Sequence, residues 1–552
     1  MPTITIDGKQ VEFKQGQTVI QAAMDAGIDV PHFCYHPKLS ISGNCRVCLV
    51  EIEKMPKLAI SCATLAADGM VVHTNSAKTL DARNAVMEFI LINHPLDCPI
   101  CDEAGECKLQ EYAFAHSRGE SRFDEIKNRK EKRVQIGPRV KFDAERCISC
   151  SRCIRFSDEI AKANQLTFVN RGDRVTITTF PGESFDNPYT LNTVDICPVG
   201  ALTNNDFRFK SRVWEMSSTN SICVGCARGC NIEIWVRNNE ILRLTPRHNE
   251  EVNSFWMCDN GRLNTFKHVN ADTRIESCFI KKEGKLNKTT WVETLEVASK
   301  SLKDFKSSEI AFVASAYATV EDNFVLQKFA KQYNPNNIFA AKHIIPGDQD
   351  GILIREDKTP NSAALELLGI KNEIEKLSSL IENKNIKALI VMEEDLASIN
   401  DEWSTTLAKL ELLIVMATNK NKTTELADII FPAATYAEKH GTFVNFQGRV
   451  QRIRPAVATE ELDRALDGMN MSRWDKFGTK FDRWMQGKKY DAKPSWKIFA
   501  LLDNYSNNKI KYKMAEEVFE DLAKTNDAFK GLDYDVIGEL GVQLKIYETQ
   551  NA

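Results

Sequence analysis

Sixteen cysteines lie between Cys34 and Cys278, and nothing after Cys278 in this 552-residue chain carries a thiol. The asymmetry divides the protein into a part rich in thiolate chemistry and a part without it. A chain of this length spans roughly three to four domains of about 150 residues, with core enough to fold without covalent staples. Its first residues, MPTITIDGKQ, show no basic region followed by an apolar core, so no secretory signal is expected. No apolar run approaches the ~18 residues of a membrane span. In a reducing compartment thiols stay free, so metal, not disulfide, is the reading for the cysteines. Lys and Arg number 72 against 76 Asp and Glu, a net charge of -4, too balanced for a nucleic-acid footprint.

The cysteines fall into four groups. The first is Cys34-x10-Cys45-x2-Cys48-x13-Cys62. Ahead of it, Thr3 to Ile6 alternates, Asp7-Gly8 supplies a hairpin turn, and Val11 and Phe13 alternate on the return. A short helix from Val19 to Ala26 then ends at Gly27. A hairpin, a helix and a cysteine loop present a [2Fe-2S] cluster in plant-type ferredoxins, whose first spacing is shorter than the one here. Zinc is the alternative, although it favours two CxxC pairs and this group has one. The second group is His94-x3-Cys98-x2-Cys101-x5-Cys107, after a helical stretch from Ala85 to Ile92 that Pro95 ends. Three thiolates and an imidazole suit zinc or a cluster, and the position between two cluster motifs favours the cluster. The third is Cys147-x2-Cys150-x2-Cys153 with the distant Cys197-Pro198, Ser157 standing where a two-cluster ferredoxin carries its fourth Cys. The fourth is Cys223-x2-Cys226-x3-Cys230-x27-Cys258, with Gly225 and Gly229 beside the thiols and zinc again the alternative. Cys278 is left over and reads as a small buried hydrophobe without a role.

The cysteine-free half reads differently. Ile310 to Ala314, Ala388 to Met392 and Leu412 to Met416 are short apolar runs suited to buried parallel strands. Helical patterns from Asp322 to Tyr333 and from Glu402 to Leu410 lie between them. Such alternation predicts an open α/β sheet covered on both faces. No G-x-G-x-x-G follows a strand, so a nicotinamide cofactor is expected on a partner. Lys127 to Arg133 reads as a solvated or subunit-facing basic run. Met471 to Tyr490 offers Trp474 and Trp484 as core residues or partner-facing anchors.

The order of the motifs resembles the large iron–sulfur subunit of respiratory complex I, NADH:quinone oxidoreductase. The resemblance rests on the first three groups and extends through Cys223 to Cys258, a further cluster that some bacterial members keep. It implies α+β iron–sulfur domains with a β-grasp ferredoxin-like N-terminus, followed by an α/β molybdopterin-oxidoreductase-like domain. Expected divisions are 1–78 for the [2Fe-2S] domain, 79–118 for the [4Fe-4S] domain with one histidine and three cysteine ligands, and 119–215 for the next [4Fe-4S] domain. Residues 216–552 form the last, opening with a [4Fe-4S] subdomain over 216–275. The implied cofactors are one [2Fe-2S] and three [4Fe-4S] clusters, passing electrons from a flavin subunit toward quinone. The implied partners are the flavin/NADH-binding subunit, a two-cluster ferredoxin-like subunit and the quinone-site subunits. The implied location is peripheral, on the cytoplasmic side of the inner membrane, with membrane contact only through partners.

Phe431 to Thr435, Glu438, Gly441-Thr442-Phe443, Asn445 and Gly448 to Gln451 resemble the molybdopterin oxidoreductases, as do Asn249 to Asn253 and Cys258 to Arg262. No Cys after Cys278 is available as a molybdenum ligand, and Met392-Glu393-Glu394-Asp395 places three carboxylates where a cofactor loop would be. The half is therefore expected to be a scaffold without molybdopterin or a substrate site, and Gly441 to Gln451 a turn retained for folding. The alternatives are a molybdenum-dependent, formate dehydrogenase-like catalytic subunit, an iron-only hydrogenase and a zinc-stapled scaffold.

Overall fold

In the computed structural model, which describes residues 1–461, 487–506 and 509–548, the first hairpin turns where the sequence places it. Asp7 and Gly8 both hold positive φ, 48° and 81°, the twist that lets two short strands continue antiparallel. Strands β1 (Thr3–Ile6) and β2 (Lys9–Glu12) pair there, Ile6 opposite Lys9. Helix α1 (Val19–Asp25) follows, and the Gln21 side chain accepts from the Thr18 N–H at 2.9 Å. Strands β3 (Leu49–Ile52), β4 (Ala59–Ile60) and β5 (Val71–His73) complete a five-stranded sheet in the order β2-β1-β5-β3-β4. Its β1–β5 pair is parallel, and α1 packs Val19, Ile20 and Ala23 onto Ile4, Ile6, Val50 and Val72.

The chain divides into two units, Met1–Glu215 and Met216–Ala552. The rest of the first unit is largely loop held by short elements. Helix α2 (Ala77–Leu91) starts well before the expected Ala85, because Ser76 caps it and its first turn is polar. Helix α3 (Lys108–His116) follows the second cysteine group. Strands β6 (Val134–Gln135) and β7 (Val140–Phe142), the one-turn helix α4 (Arg152–Arg155), the hairpin β8 (Leu166–Val169) and β9 (Thr176–Thr179), and β10 (Leu202–Asn204) frame the third group.

The second unit opens with the antiparallel sheet β11 (Ser217–Ile222), β12 (Asn231–Arg237) and β13 (Glu240–Pro246). A hairpin of β14 (Cys278–Lys282) and β15 (Lys285–Thr289) then leads into β16 (Ile310–Ala314), β17 (Ile338–Ala340), β18 (Ala388–Met392), β19 (Leu412–Ala417) and β20 (Ile429–Pro432). They form one sheet in the order β15-β14-β20-β19-β18-β16-β17, parallel from β20 to β17. Alternate residues face two cores. Phe312, Ile390 and Ile414 meet Leu326, Phe329 and Phe499 on one face; Val313, Val391 and Val415 meet Leu377, Trp403 and Leu407 on the other. Both faces are thus helix-covered, which is why these strands read as continuous apolar runs. Truncating Phe312 or Phe329 to Ala would cost about 3–5 kcal/mol. The helices between run over Val320–Ala330 and Asp401–Leu407, each shifted toward its cap, Thr319 or Asn400. A hairpin of β21 (Gly441–Val444) and β22 (Arg449–Ile453) follows. Trp474 and Trp484 lie outside the described residues. Among the described residues no helix is long and apolar enough to cross a membrane.

Candidate metal centres

Cys34, Cys45, Cys48 and Cys62 come together where the loop after α1 meets the ends of β3 and β4. Cys48 precedes β3, Cys62 follows β4, and Ser61 ties the two by donating from Oγ to the Cys48 carbonyl at 2.8 Å. The Cys34 N–H donates to Cys45 Sγ at 3.5 Å. Hydrogen bonds from the Cys45 and Cys62 thiols hold Cys34 well below the ordinary thiol range, and one from Cys62 brings Cys48 down to about 7, while the donors Cys45 and Cys62 are held well above it. Thiolates are the form that ligates iron. Gly43 holds φ +62°, and a side chain there would press on Ile60 at 3.2 Å.

The second group straddles the turn between α2 and α3. The buried Nδ1 of His94 has no partner, and burial lowers this imidazole to about 4, so it is neutral and free to ligate at neutral pH. Cys101 and Cys107 are buried or half-buried thiols, the latter pushed by burial up to about 11, and Cys98 is exposed. Cys98 and Cys107 line one open pocket with Phe114 and Trp214. Arg146 acts on both His94 and Cys101, which places the imidazole and that thiol about one guanidinium. The basic run is solvated at Arg129, Lys132 and Arg133, while Lys127 is half-buried and engaged. Lys127 donates to the Leu91 and Ile92 carbonyls at 2.8 and 2.7 Å, and Lys132 pairs with Asp97 at 2.6 Å. A helix C-terminus leaves carbonyls unpaired and favours a cation, and that local demand takes up the charges.

Cys147, Cys150, Cys153 and Cys197 line one small cavity closed by Phe142, Ile177, Val199 and Leu202. Ser149 and Ser151 hold φ of 53° and 62°, so the loop winds left-handed between its cysteines. Burial raises all four thiols, Cys147 to about 11. Four buried thiols converging on a void are the donor set that cationic iron makes favourable. Ser157 is buried and accepts from the Gln165 N–H at 3.2 Å.

The third group is stapled to both others. Asn44 Nδ2 donates to the Ser149 carbonyl at 3.0 Å, and Arg155 donates to the carbonyls of Ser40, Cys34 and Cys150. On the other side the Pro198 carbonyl accepts from Lys108 N–H at 3.1 Å and from the Cys107 thiol at 3.9 Å. A Cβ on Gly200 would lie 2.3 Å from Cys101 Sγ. The spatial order is therefore first, third, second.

In the second unit, Cys223 directly follows β11, Cys230 directly precedes β12, and Cys258 accepts from the Gly261 N–H at 3.3 Å at the start of the helix Asp259–Asn264. Each of Cys223, Cys226 and Cys258 acts on the Cys230 thiol, which burial holds well above its ordinary range. Gly261 has no room for a side chain, since a Cβ would sit 2.9 Å from Cys223 Sγ. The loop is held by the β21–β22 hairpin. Gln451 Nε2 donates to the Gly229 carbonyl at 3.0 Å, and the Phe446 N–H to the Ala227 carbonyl at 2.9 Å. That segment braces the loop that carries the thiols, a task that its reading as a retained turn did not include. Cys278 is a core residue at the start of β14, pushed by burial up to about 12.

Beyond the ends of β16 and β18, on the side where open α/β sheets bind ligands, lie internal charge pairs. Lys439 Nζ lies 2.8 Å from Asp322 and 2.7 Å from Glu393, all three buried. His343 meets Glu394 at 2.9 Å, and Asp395 accepts from Thr423 Oγ1 at 2.8 Å. The carboxylates anticipated as repelling phosphates are thus engaged internally, and Lys439 is already paired; this cluster does not fit the phosphates of an anionic pterin nucleotide. Among the described residues no three His, Cys, Asp or Glu side chains, those of the four cysteine sets included, are close enough to hold one metal ion.

Family models match five stretches: a 2Fe-2S iron-sulfur cluster binding domain over 1–77, and an NADH-ubiquinone oxidoreductase-G iron-sulfur binding region over 83–122. An NADH-quinone oxidoreductase subunit 3 ferredoxin-like domain covers 137–203, and an NDSU1/NuoG-like 4Fe-4S domain covers 216–265. A molybdopterin oxidoreductase model covers 354–464. The G subunit of NADH-quinone oxidoreductase from Rickettsia felis is 43% identical over 337 residues, 61% of this chain and 50% of the relative. The NADH-ubiquinone oxidoreductase 75 kDa subunit of Reclinomonas americana is 41% identical over 340 residues, 61% of this chain and 49% of the relative. A NAD+-reducing [NiFe]-hydrogenase crystal structure has a chain 31% identical, covering 38% of this chain and 91% of its own, with a TM-score of 0.35. The chain spans about half the length of the curated relatives it matches.

Proposed function

We propose, on the premise that this chain is homologous to the G subunit of NADH-quinone oxidoreductase, that it is an electron-transfer component of that complex's peripheral arm. It takes electrons from the flavin subunit and passes them toward the quinone-site subunits by way of a two-cluster ferredoxin-like subunit. When bound, iron–sulfur clusters supply one-electron redox chemistry without making or breaking a substrate bond. Cys34, Cys45, Cys48 and Cys62 hold a [2Fe-2S] cluster; His94, Cys98, Cys101 and Cys107 hold a [4Fe-4S] cluster. Cys147, Cys150, Cys153 and Cys197 hold a second [4Fe-4S] cluster, and Cys223, Cys226, Cys230 and Cys258 a third. The chain's residues orient these ligands, exclude water from the third site and keep His94 neutral. The subunit sits peripherally on the cytoplasmic side of the membrane, attached through partners, and its second half carries no molybdopterin.

The observation that carries this reading is the unbroken run of links from the Cys34 loop through Arg155 and Cys150 to Pro198, Cys107 and Cys101. Three separate ligand sets tied edge to edge suit short electron hops and serve no purpose in a zinc scaffold. Metal analysis of protein purified without oxygen tests it. Iron with acid-labile sulfide is expected; zinc in place of iron, or molybdenum at one per chain, would overturn it.

A further inference from the structure

Two arginines lie between the first and third ligand sets, and their hydrogen-bonding capacity is used differently. Arg155 has its fork engaged, by Ser151 Oγ at 3.1 Å and by the carbonyls of Ser40, Cys34 and Cys150. Arg152 donates from Nη1 to the Ile196 carbonyl at 3.1 Å and from Nη2 to the carbonyl of Tyr35, the residue after Cys34. Its Nε–H is buried and has no partner. Arg152 also lines the cavity of Cys147, Cys150, Cys153 and Cys197. Among the described residues no carboxylate pairs with it; the groups acting on it most strongly are Cys150, Cys197, Arg155 and Cys34, and His32, His36 and Tyr112 also lie within its field. An arginine is always charged, and a buried donor of a charged group left unpaired is strongly unfavourable. The space that Arg152 lines is the one four thiols surround.

We propose that Arg152 is a positioning residue of the third site, donating its Nε–H to a sulfur of the [4Fe-4S] cluster held by Cys147, Cys150, Cys153 and Cys197. The inference rests on the ligand assignment proposed above. Nη1 and Nη2, fixed on backbone carbonyls, prevent the guanidinium from turning away, so the donor is preorganised. Reduction adds one negative charge to the cluster. A fixed cation and an N–H···S bond stabilise that charge, so Arg152 raises the potential of the third cluster. Through Nη2 on Tyr35 the same cation lies beside the Cys34 loop, so it favours the electron's residence on both sides of the first-to-third hop.

The test uses the assembled, cluster-loaded protein, with the third-site signal identified as the one that Cys150→Ser removes. In wild-type protein carrying arginine 15N-labelled in its guanidinium alone, pulsed electron paramagnetic resonance of the reduced third cluster should show 15N coupling, lost in Arg152→Lys. In Arg152→Gln the midpoint of that cluster should fall by about 59 mV or more, a tenfold change in a one-electron equilibrium. The Cys223 cluster should not move, and Arg152→Lys, which keeps the charge, should restore part of the shift. Absence of 15N coupling in the wild type would overturn the proposal even if Arg152→Gln fails to load iron. So would an unchanged midpoint in a loaded Arg152→Gln protein. A wild-type protein with no third-site signal at all would instead overturn the ligand assignment beneath it.

Discussion

Gly200 packs directly on a cysteine of the second set, and Gly200→Ala measures how tightly the second and third ligand sets are joined. A Cβ there would stand 2.3 Å from Cys101 Sγ and 2.9 Å from the Glu103 Cβ. Comfortable contact between such atoms lies near 3.5–4.0 Å, so roughly 1 Å of relief is required. The Gly200 φ is not in the left-handed region, so the clash alone accounts for the effect. Neither neighbour yields cheaply, because a ligating thiolate cannot rotate without leaving its iron, and Arg212 grips the Cys101 carbonyl. Overpacking of this kind costs about 1–3 kcal/mol. In a unit of this size that corresponds to a fall in Tm of about 2–4 °C per kcal/mol. The expected result is selective loss of the His94-group resonance, with the Cys34 and Cys223 signals retained, in a reductant titration followed by electron paramagnetic resonance. Gly119→Ala is the control: its φ is +77°, it carries backbone strain of about 1 kcal/mol, and no atom lies within 4 Å of the added carbon. A Gly200→Ala protein with every signal intact and at its original potential would refute the close packing of Cys197-Pro-Val-Gly200 on Cys101.

His94→Cys should keep a cluster at the second site and lower its potential, since an anionic thiolate replaces a neutral imidazole; an unmoved potential removes His94 from the ligand set. Lys439→Met leaves Asp322 and Glu393 buried without their cation and should cost about 3–5 kcal/mol in chemical denaturation of the second unit, with the first-unit signals unchanged; a loss below about 1 kcal/mol would contradict the paired network. A hydrogen bond to Glu394 raises His343 above 6.5, so this pair contributes stability that is fully present below about pH 6.5 and is lost as pH rises through the raised value. Unfolding of His343→Gln should lack the fall in stability that the wild type shows as pH rises above about 6.5, and an identical pH profile in both proteins would sink the assignment.

Cysteine spacing pointed to groups that the fold brings near one another, because short gaps on a loop keep thiols close, and Cys147, Cys150, Cys153 and Cys197 line one cavity. The parallel strands were legible for a related reason: a strand buried on both faces has no polar alternation to confuse it, and Ile310–Ala314 and Ala388–Met392 coincide with their apolar runs. Helix starts were not, since Ser76 and Thr319 are caps ahead of the apolar pattern. The charges were hardest to place. Lys127 and Lys132 form an ordinary basic run in sequence, yet they cap α2 and brace Asp97, contacts that need the fold. Arg152 and Arg155 alternate with Cys150 and Cys153 in the chain, and that interleaving was the available signal for residues facing a cluster. The first-third-second order depends on Cys197 and Gly200 returning from far along the chain, which no local pattern encodes. The hairpin at Gly441 to Gln451 carries a resemblance to cofactor enzymes, while its contacts are to the Cys226–Cys230 loop.

The central claim is that four ligand sets hold one binuclear and three tetranuclear clusters. Low-temperature electron paramagnetic resonance of the anaerobically purified protein, titrated stepwise with reductant, tests it most directly. One binuclear and three tetranuclear signals are expected, with magnetic interaction between the binuclear signal and that of the Cys147 set, its stapled neighbour. A colourless protein silent at every potential, or signals of a single cluster type, would contradict it.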